Sequence, residues 1–355
     1  MDHREEIANI HRRPIGLPVL LLYNINPQWL PAEIDESRQI ALTISRALRE
    51  IGHPVTEICL EDQDLVGLLR PYAPEDFIVL NLCEEIPGFL NSYDLVAQTL
   101  EELGFTFTGA DSKALTFSQD KRRVQQRLDD FGIGTPRWQI FDSASKDGWA
   151  IYPAIVKPAL DHCSLGMTRE SVVWSHAELA ARINYVIDRY HEPVLVEEFI
   201  DGREFAVNVV GNGHLRVLPI AEFDFSAFED VSDRLLSYAS KFDPQSPAYN
   251  LIQTRLPALL GTDEKKLLVR TALDGYRAAG CRDYARLDIR LRDGIFYILD
   301  INPNSDISPG TSVAMAAELG GLSYGSLVSL LVKLAARRHP VIGATVEEEA
   351  LLQPA

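Results

Sequence analysis

Asp283-Tyr284-Ala285-Arg286-Leu287-Asp288-Ile289-Arg290-Leu291 alternates at the period of a β-strand. Leu287, Ile289 and Leu291 take one face, and Arg286, Asp288 and Arg290 the other. Asp293-Gly294 turns the chain and Phe296–Ile301 returns, so Asp300 and Asn302, two apart, share a face of the returning strand. Asp288, Asp300 and Asn302 then offer three hard oxygen ligands, a donor set suited to magnesium, which also takes phosphate oxygens of a substrate. Parity tests this reading, because directly opposed residues of a hairpin share a face. A two-residue Asp293-Gly294 loop pairs Asp288 with Leu299. A three-residue loop with a left-handed Gly294 and a G1 bulge pairs Asp288 with Asp300, so the metal reading predicts the bulged turn. The competing reading is a merely solvated strand face.

Outward from this hairpin, helices are expected near 263–279 and 323–337. Upstream, Val124, Leu128 and Phe131 form a helical stripe stopped by Gly132. Pro153–Pro158 reads as a strand, and Ser175-His176-Ala177-Glu178 opens a helix reaching about Tyr190. Val194–Ile200 and Glu204–Val210 read as strands of a hairpin turned by Asp201-Gly202. At the N-terminus the pattern changes to strand–helix alternation. Val19–Tyr23, Val55–Leu60 and Phe77–Leu82 are short apolar runs, and Ile40, Ile44, Ala47, Leu48 and Ile51 recur at helical spacing. This predicts a Rossmann-like parallel sheet. The glycine fingerprint of a dinucleotide site does not follow the first strand.

The chain has 355 residues, with 34 Lys plus Arg against 51 Asp plus Glu, a formal charge of −17. That field disfavours nucleic acid and anionic membranes, although a few focused cations can still dominate one anion site. Cys59, Cys83, Cys163 and Cys281 are dispersed and show no zinc spacing, as expected of a reducing cytoplasm. The polar start and the absence of a long apolar run give no sign of a signal peptide or a membrane span.

Arg286-Leu287-Asp288 followed by Asp300-Ile301-Asn302-Pro303-Asn304 resembles the metal hairpin of the ATP-grasp superfamily. Further pieces resemble it in order. Ser118-Gln119-Asp120-Lys121 is similar to the stretch with the first ATP lysine. Val156-Lys157-Pro158 and then Cys163-Ser164-Leu165-Gly166-Met167 are similar to the second lysine and the loop over the phosphates. Glu197-Glu198-Phe199-Ile200 and Gly202-Arg203-Glu204-Phe205 resemble the adenine hinge and the ribose-side carboxylate. Tyr238-Ala239-Ser240-Lys241-Phe242 and Gly321-Leu322-Ser323-Tyr324 resemble pieces of D-alanine–D-alanine ligases. The likeness runs from about 76 to 335.

The resemblance implies an ATP-grasp fold of mixed α/β and α+β class. It divides the chain into a Rossmann-like domain at 1–111, a central α+β lid at 112–210, a C-terminal α+β subdomain at 211–340 and an acidic tail at 341–355. It implies ATP and Mg2+ (or Mn2+) as cofactors, with Lys121, Lys157, Glu197, Glu198, Phe199, Ile200 and Glu204 on the nucleotide. Asp288, Asp300 and Asn302 are implied on the metal, and Arg286, Lys241 and Ser164 in catalysis. The implied activity joins a small acid to an amine through an acyl phosphate, with at most a second copy of the chain as protein partner. D-alanine–D-alanine ligation and an inactive ATP-binding module are the alternatives.

The sequence departs from those ligases at its substrate-reading positions. Asn81-Leu82-Cys83-Glu84-Glu85 stands where they carry His-Gly. The first strand leads into Tyr23-Asn24-Ile25-Asn26-Pro27, with Glu33 and Glu36 the next carboxylates. Pro309-Gly310 comes four residues later after Asn302 than is usual. These departures imply the same chemistry on a different acid or amine.

Overall fold

In the computed structural model, residues 16–144, 148–160, 166–237, 239–240, 243 and 245–346 are described. They form two compact units, one running to Thr108 and resuming at Leu322, the other Gly109–Gly321.

The first unit is built on β1 (Val19–Asn24), whose Val19, Leu20, Leu21 and Leu22 are wholly buried. With β2 (Val55–Leu60), β3 (Ile78–Asn81) and β4 (Thr106–Phe107) it forms a parallel sheet of order β2-β1-β3-β4. This is the predicted Rossmann-like arrangement. Burial on both faces explains why β1 is a continuous apolar run rather than an alternating one. The helix Pro31–Glu50 buries Ala41, Ile44, Ser45 and Leu48. The helix Tyr324–Ala336 packs against it and against β3 and β4. By sequence this last helix falls within 211–340. Its residues Leu327–Val332 are buried on every side, so it needs an enclosing layer, and the first unit supplies one. His53 is buried and joins two segments: Nδ1 lies 2.9 Å from the Leu17 carbonyl and Nε2 2.8 Å from Ser329 Oγ.

The second unit holds two antiparallel sheets. The smaller contains β5 (Trp138–Phe141), β6 (Ala154–Pro158), β7 (Val172–Val173) and β8 (Val194–Glu198) in the order β5-β8-β6-β7. The helix His176–Tyr190 covers it through Leu179, Ile183 and Val186, and Ser175 caps that helix by accepting from the Glu178 N–H. The larger sheet contains β9 (Arg203–Gly211), β10 (Leu215–Val217), β11 (Ala221–Asp224), β12 (Gln253–Arg255), β13 (Tyr284–Arg292) and β14 (Ile295–Pro303). Its order is β12-β11-β9-β13-β14, with β10 also on β9. Leu287, Ile289, Ile298 and Ile301 form its core with Leu268, Ala272 and Tyr276 of the helix Thr262–Ala278. Phe117, Val124 and Leu128, from the helices Ser112–Gln119 and Lys121–Asp130, join the same core.

Two local expectations are corrected. The segment 194–210 is not a hairpin: β8 pairs with β5 and β6, whereas β9 pairs with β10, β11 and β13. Neither Asp201 nor Gly202 has the positive φ that a tight hairpin turn requires. Gly202 serves close approach instead, since a Cβ there would lie 2.0 Å from the Leu291 carbonyl oxygen. The second correction concerns the Asp293-Gly294 turn. Both residues are left-handed, at φ 52° and 77°, and Arg292 pairs with Ile295, so the loop has two residues, not three. The parity change comes later, where Ile289 pairs with Ile298 but Asp288 with Asp300, leaving Leu299 as the bulged residue.

No single helix among the described residues is long and apolar enough to cross a membrane. Cys59, Cys83 and Cys281 are free thiols.

Candidate active site

The face of the large sheet opposite its apolar core carries three rows set by strand register. Arg286 lies between Asn208 and Asn302, Asp288 between Ala206 and Asp300, and Arg290 between Glu204 and Tyr297. The bulge at Leu299 is what brings Asp300 beside Asp288. This face is not simply solvated, because Arg290 is only 3% exposed.

Arg286 forks onto Asp288, with Nε and Nη2 donating at 2.8 and 3.0 Å. Burial works against its charge, but Asp288, with Asp300 and Asp306 nearby, more than offsets that, so the Arg286 pKa is raised. The Asn302 amide lies 3.3 Å from Asp288 Oδ2. Asp288, Asp300 and Asn302 are therefore contiguous, and two carboxylates plus an amide oxygen make an all-oxygen set that fits a hard divalent cation. Among the described residues no three His, Cys, Asp or Glu side chains come together as metal ligands, so the oxygen set here is two carboxylates and the Asn302 amide.

The small sheet supplies a second cluster. Lys157 Nζ donates to Glu197 Oε2 at 2.5 Å, and Gln125 Nε2 donates to Glu197 Oε1 at 2.5 Å. The Glu197 side chain is 1% exposed and that of Lys157 13%, so this is a desolvated pair. Glu198 instead meets Arg292, whose Nη2 donates at 2.5 Å. Phe199 and Ile200 are buried just beyond the strand. The Glu198 and Phe199 N–H groups donate to the Arg137 and Pro153 carbonyls, while the Ile200 N–H has no hydrogen bond among the described residues.

Glu204 is buried, and its Oε2 accepts from Arg290 Nε at 2.6 Å. Lys121 starts its helix behind the capping Asp120, and its N–H donates to the Ala159 carbonyl at 3.0 Å. Ser164 and Lys241 lie outside the described residues.

Sequence reading missed Arg290, Gln125 and Arg292. Arg290 was visible as the third charged residue on the Arg286–Asp288 face. Its partners, distant in sequence, were not. In the first unit, Asn26 Nδ2 donates to the buried Glu85 at 2.8 Å, and the buried Asn24 Nδ2 has no partner. Glu33 and Glu36 are exposed, and Glu33 accepts from the Leu30 N–H at 2.7 Å, capping its helix. Gly321-Leu322-Ser323-Tyr324-Gly325 has the G-x-S-x-G spacing of a hydrolase elbow but follows a helix, and Ser323 caps the next one by accepting from Ser326.

The architecture is that of an ATP-grasp protein. A solved D-alanine–D-alanine ligase from Bacillus anthracis, complexed with ATP, superposes at a TM-score of 0.70 over 91% of this chain and 99% of that one, at 19% identity. The family described as D-ala D-ala ligase C-terminus matches residues 130–333, and the chain belongs to it. An uncharacterized protein, y4sG, of Sinorhizobium fredii is 31% identical over 85% of this chain and 88% of that protein. D-alanine–D-alanine ligases of Marinomonas sp. and Pseudothermotoga lettingae are 29% and 24% identical over 85% and 86% of this chain, and over 92% and 97% of their own lengths.

Proposed function

We infer that this chain is an ATP-dependent carboxylate–amine ligase, forming an amide bond with ADP and phosphate as the other products. The observation that carries the reading is the Arg286, Asp288, Asp300 and Asn302 cluster, brought together by the bulge within the stretch matched to the family. Asp288, Asp300 and Asn302 hold Mg2+ (or Mn2+), which when bound draws charge from the ATP phosphates. Lys121 and Lys157 carry positive charge to the phosphates as point charges, with Lys157 held by Glu197. Lys241 and Ser164, which the resemblance implies in catalysis, lie outside the described residues. The Ile200 N–H donates to the base, in the hinge that Glu197, Glu198 and Phe199 complete. Glu204 accepts from the ribose.

The γ-phosphoryl group passes to the acid's carboxylate, giving an acyl phosphate and ADP. The amine nitrogen attacks the acyl carbon and gives up its proton, and phosphate leaves with the C–O electron pair. Arg286 stabilises the negative oxygen of the tetrahedral intermediate. The departures at Asn81–Glu85 and at Pro309-Gly310 support substrates other than D-alanine. The names of the ligases that the chain resembles favour D-alanine as a second reading.

The test is phosphate release from ATP across paired acid and amine panels, with wild type and Arg286→Ala. Release that needs both partners and is lost in the variant supports a ligase. A response to D-alanine alone supports the second reading. No ATP-dependent product from any pair makes the chain a nucleotide-binding module.

A further inference from the structure

Arg290 is the most completely enclosed cation on the polar face of the large sheet. Its side chain is 4% exposed, and its three kinds of nitrogen go to three separate segments. Nε donates to Glu204 Oε2 at 2.6 Å, Nη1 to the Ile200 carbonyl at 2.7 Å, and Nη2 to the Arg234 carbonyl. The guanidinium lies 4.8 Å from the centroid of the Phe199 ring and 5.3 Å from that of Phe225. Arg234 in turn donates to Asp201 at 3.0 and 3.2 Å, tying the 225–235 segment to the turn between β8 and β9.

A buried arginine that served only to glue strands would need its carboxylate partner and little more. Here the planar fork spans three segments: the end of the hinge, the carboxylate on β9 and the connection after β11. Lysine has no such fork, so this geometry is specific to arginine. Glu204 lies directly opposite Arg290 in the β9–β13 register, so the ion pair follows from strand pairing. The contact with Ile200 does not, because that residue lies outside both sheets.

We propose that Arg290 is a positioning residue of the nucleotide site: it orients the Glu204 carboxylate toward the sugar hydroxyls and fixes the Ile200 peptide, whose N–H faces the base. The proposal rests on the ATP reading above. It adds that nucleotide recognition depends on a side chain that itself touches no nucleotide. With Oε2 held by Arg290, Oε1 of Glu204 remains as the acceptor for a ribose hydroxyl, and the pairing fixes the direction of the carboxylate. Without the fork, Glu204 can turn and the Ile200 peptide can tilt. The site should then lose discrimination for the sugar more than it loses turnover.

The experiment compares ATP with 2′-deoxy- and 3′-deoxy-ATP in wild type, Arg290→Lys, Arg290→Met and Glu204→Gln. It measures nucleotide binding by calorimetry and, with the best acid–amine pair, KM and kcat. Thermal unfolding and near-ultraviolet circular dichroism identify variants that fold. Wild type should prefer ATP over one of the deoxy analogues by about tenfold or more, as expected for a hydrogen bond to a charged acceptor. Folded Arg290→Lys or Arg290→Met should lose most of that preference and raise KM for ATP while kcat changes less, and Glu204→Gln should behave alike. If Arg290→Met does not fold, Arg290→Lys and Glu204→Gln decide. A folded Arg290 variant that keeps the wild-type preference overturns the positioning role while leaving the ATP reading intact. Wild type that binds no ATP overturns that reading and the proposal with it.

Discussion

Asp288 and Asp300 face each other across β13 and β14 because Leu299 is bulged out of a ladder that began in the other parity at Asp293-Gly294. One extra residue turns an otherwise mismatched pair into two adjacent carboxylates. It also puts Asn302 opposite Arg286, which places a cationic side chain next to the acidic pair.

The acidic pair should be separable from the fold. Asp288→Asn and Asp300→Asn each keep the shape of the side chain and remove one charge. Each is expected to lower kcat by about 10²-fold or more, the scale for losing a preorganised electrostatic group. The magnesium concentration for half-maximal rate should rise in both. Titrating phosphate release against magnesium measures this, and a variant with wild-type magnesium dependence would remove its residue from the metal set.

Arg286 is forked onto Asp288 and keeps its charge despite burial. Arg286→Lys cannot reproduce the two-pronged contact. Both Arg286→Ala and Arg286→Lys are expected to lose about 10²–10³ in kcat with a smaller change in KM for ATP. Steady-state kinetics at saturating acid and amine decide it. A large KM effect with unchanged kcat would make Arg286 a binding residue instead.

The Lys157–Glu197 pair is a stability element as much as a site element. Glu197→Ala leaves a nearly buried ammonium and the Gln125 amide without their common acceptor. The expected loss is about 3 kcal/mol, the lower end for breaking a buried pair. Urea unfolding reads it directly, and unchanged stability would mean that the pair is hydrated in solution.

His53 makes the first unit acid-sensitive. Burial lowers its pKa; the Leu17 carbonyl partly opposes the shift and the Lys333 charge adds to it. The unfolded state therefore binds a proton more readily than the folded one. Its contribution is present above about pH 6.5 and is lost as the pH falls through that value toward the depressed folded pKa. Urea midpoints at descending pH should fall in wild type and fall less in His53→Gln. Equal slopes would refute the assignment.

Much of the second unit could be read locally. Strict alternation in 283–291 fixed which side of β13 meets the core, and the order of short motifs identified the superfamily. The apolar runs of β1, β2 and β3 announced a parallel sheet. Elsewhere the local signals misled. Asp201-Gly202 has the composition of a hairpin turn, yet β8 and β9 enter different sheets. A turn dipeptide states that the chain bends, but the pairing depends on which strand edges are unoccupied.

The element types, the sidedness of the strands and the chemistry available at each position are legible along the chain, because they follow from period, propensity and side-chain identity. The tertiary structure decided the rest. It placed the parity change at Leu299, because a two-residue Asp-Gly turn matches strand twist and the ladder must absorb the extra residue further on. It put the Tyr324–Ala336 helix in the first unit, because a helix apolar on all sides requires enclosure. It also joined Arg290 to Glu204, Ile200 and Arg234, since a buried cation requires acceptors wherever in the chain they lie.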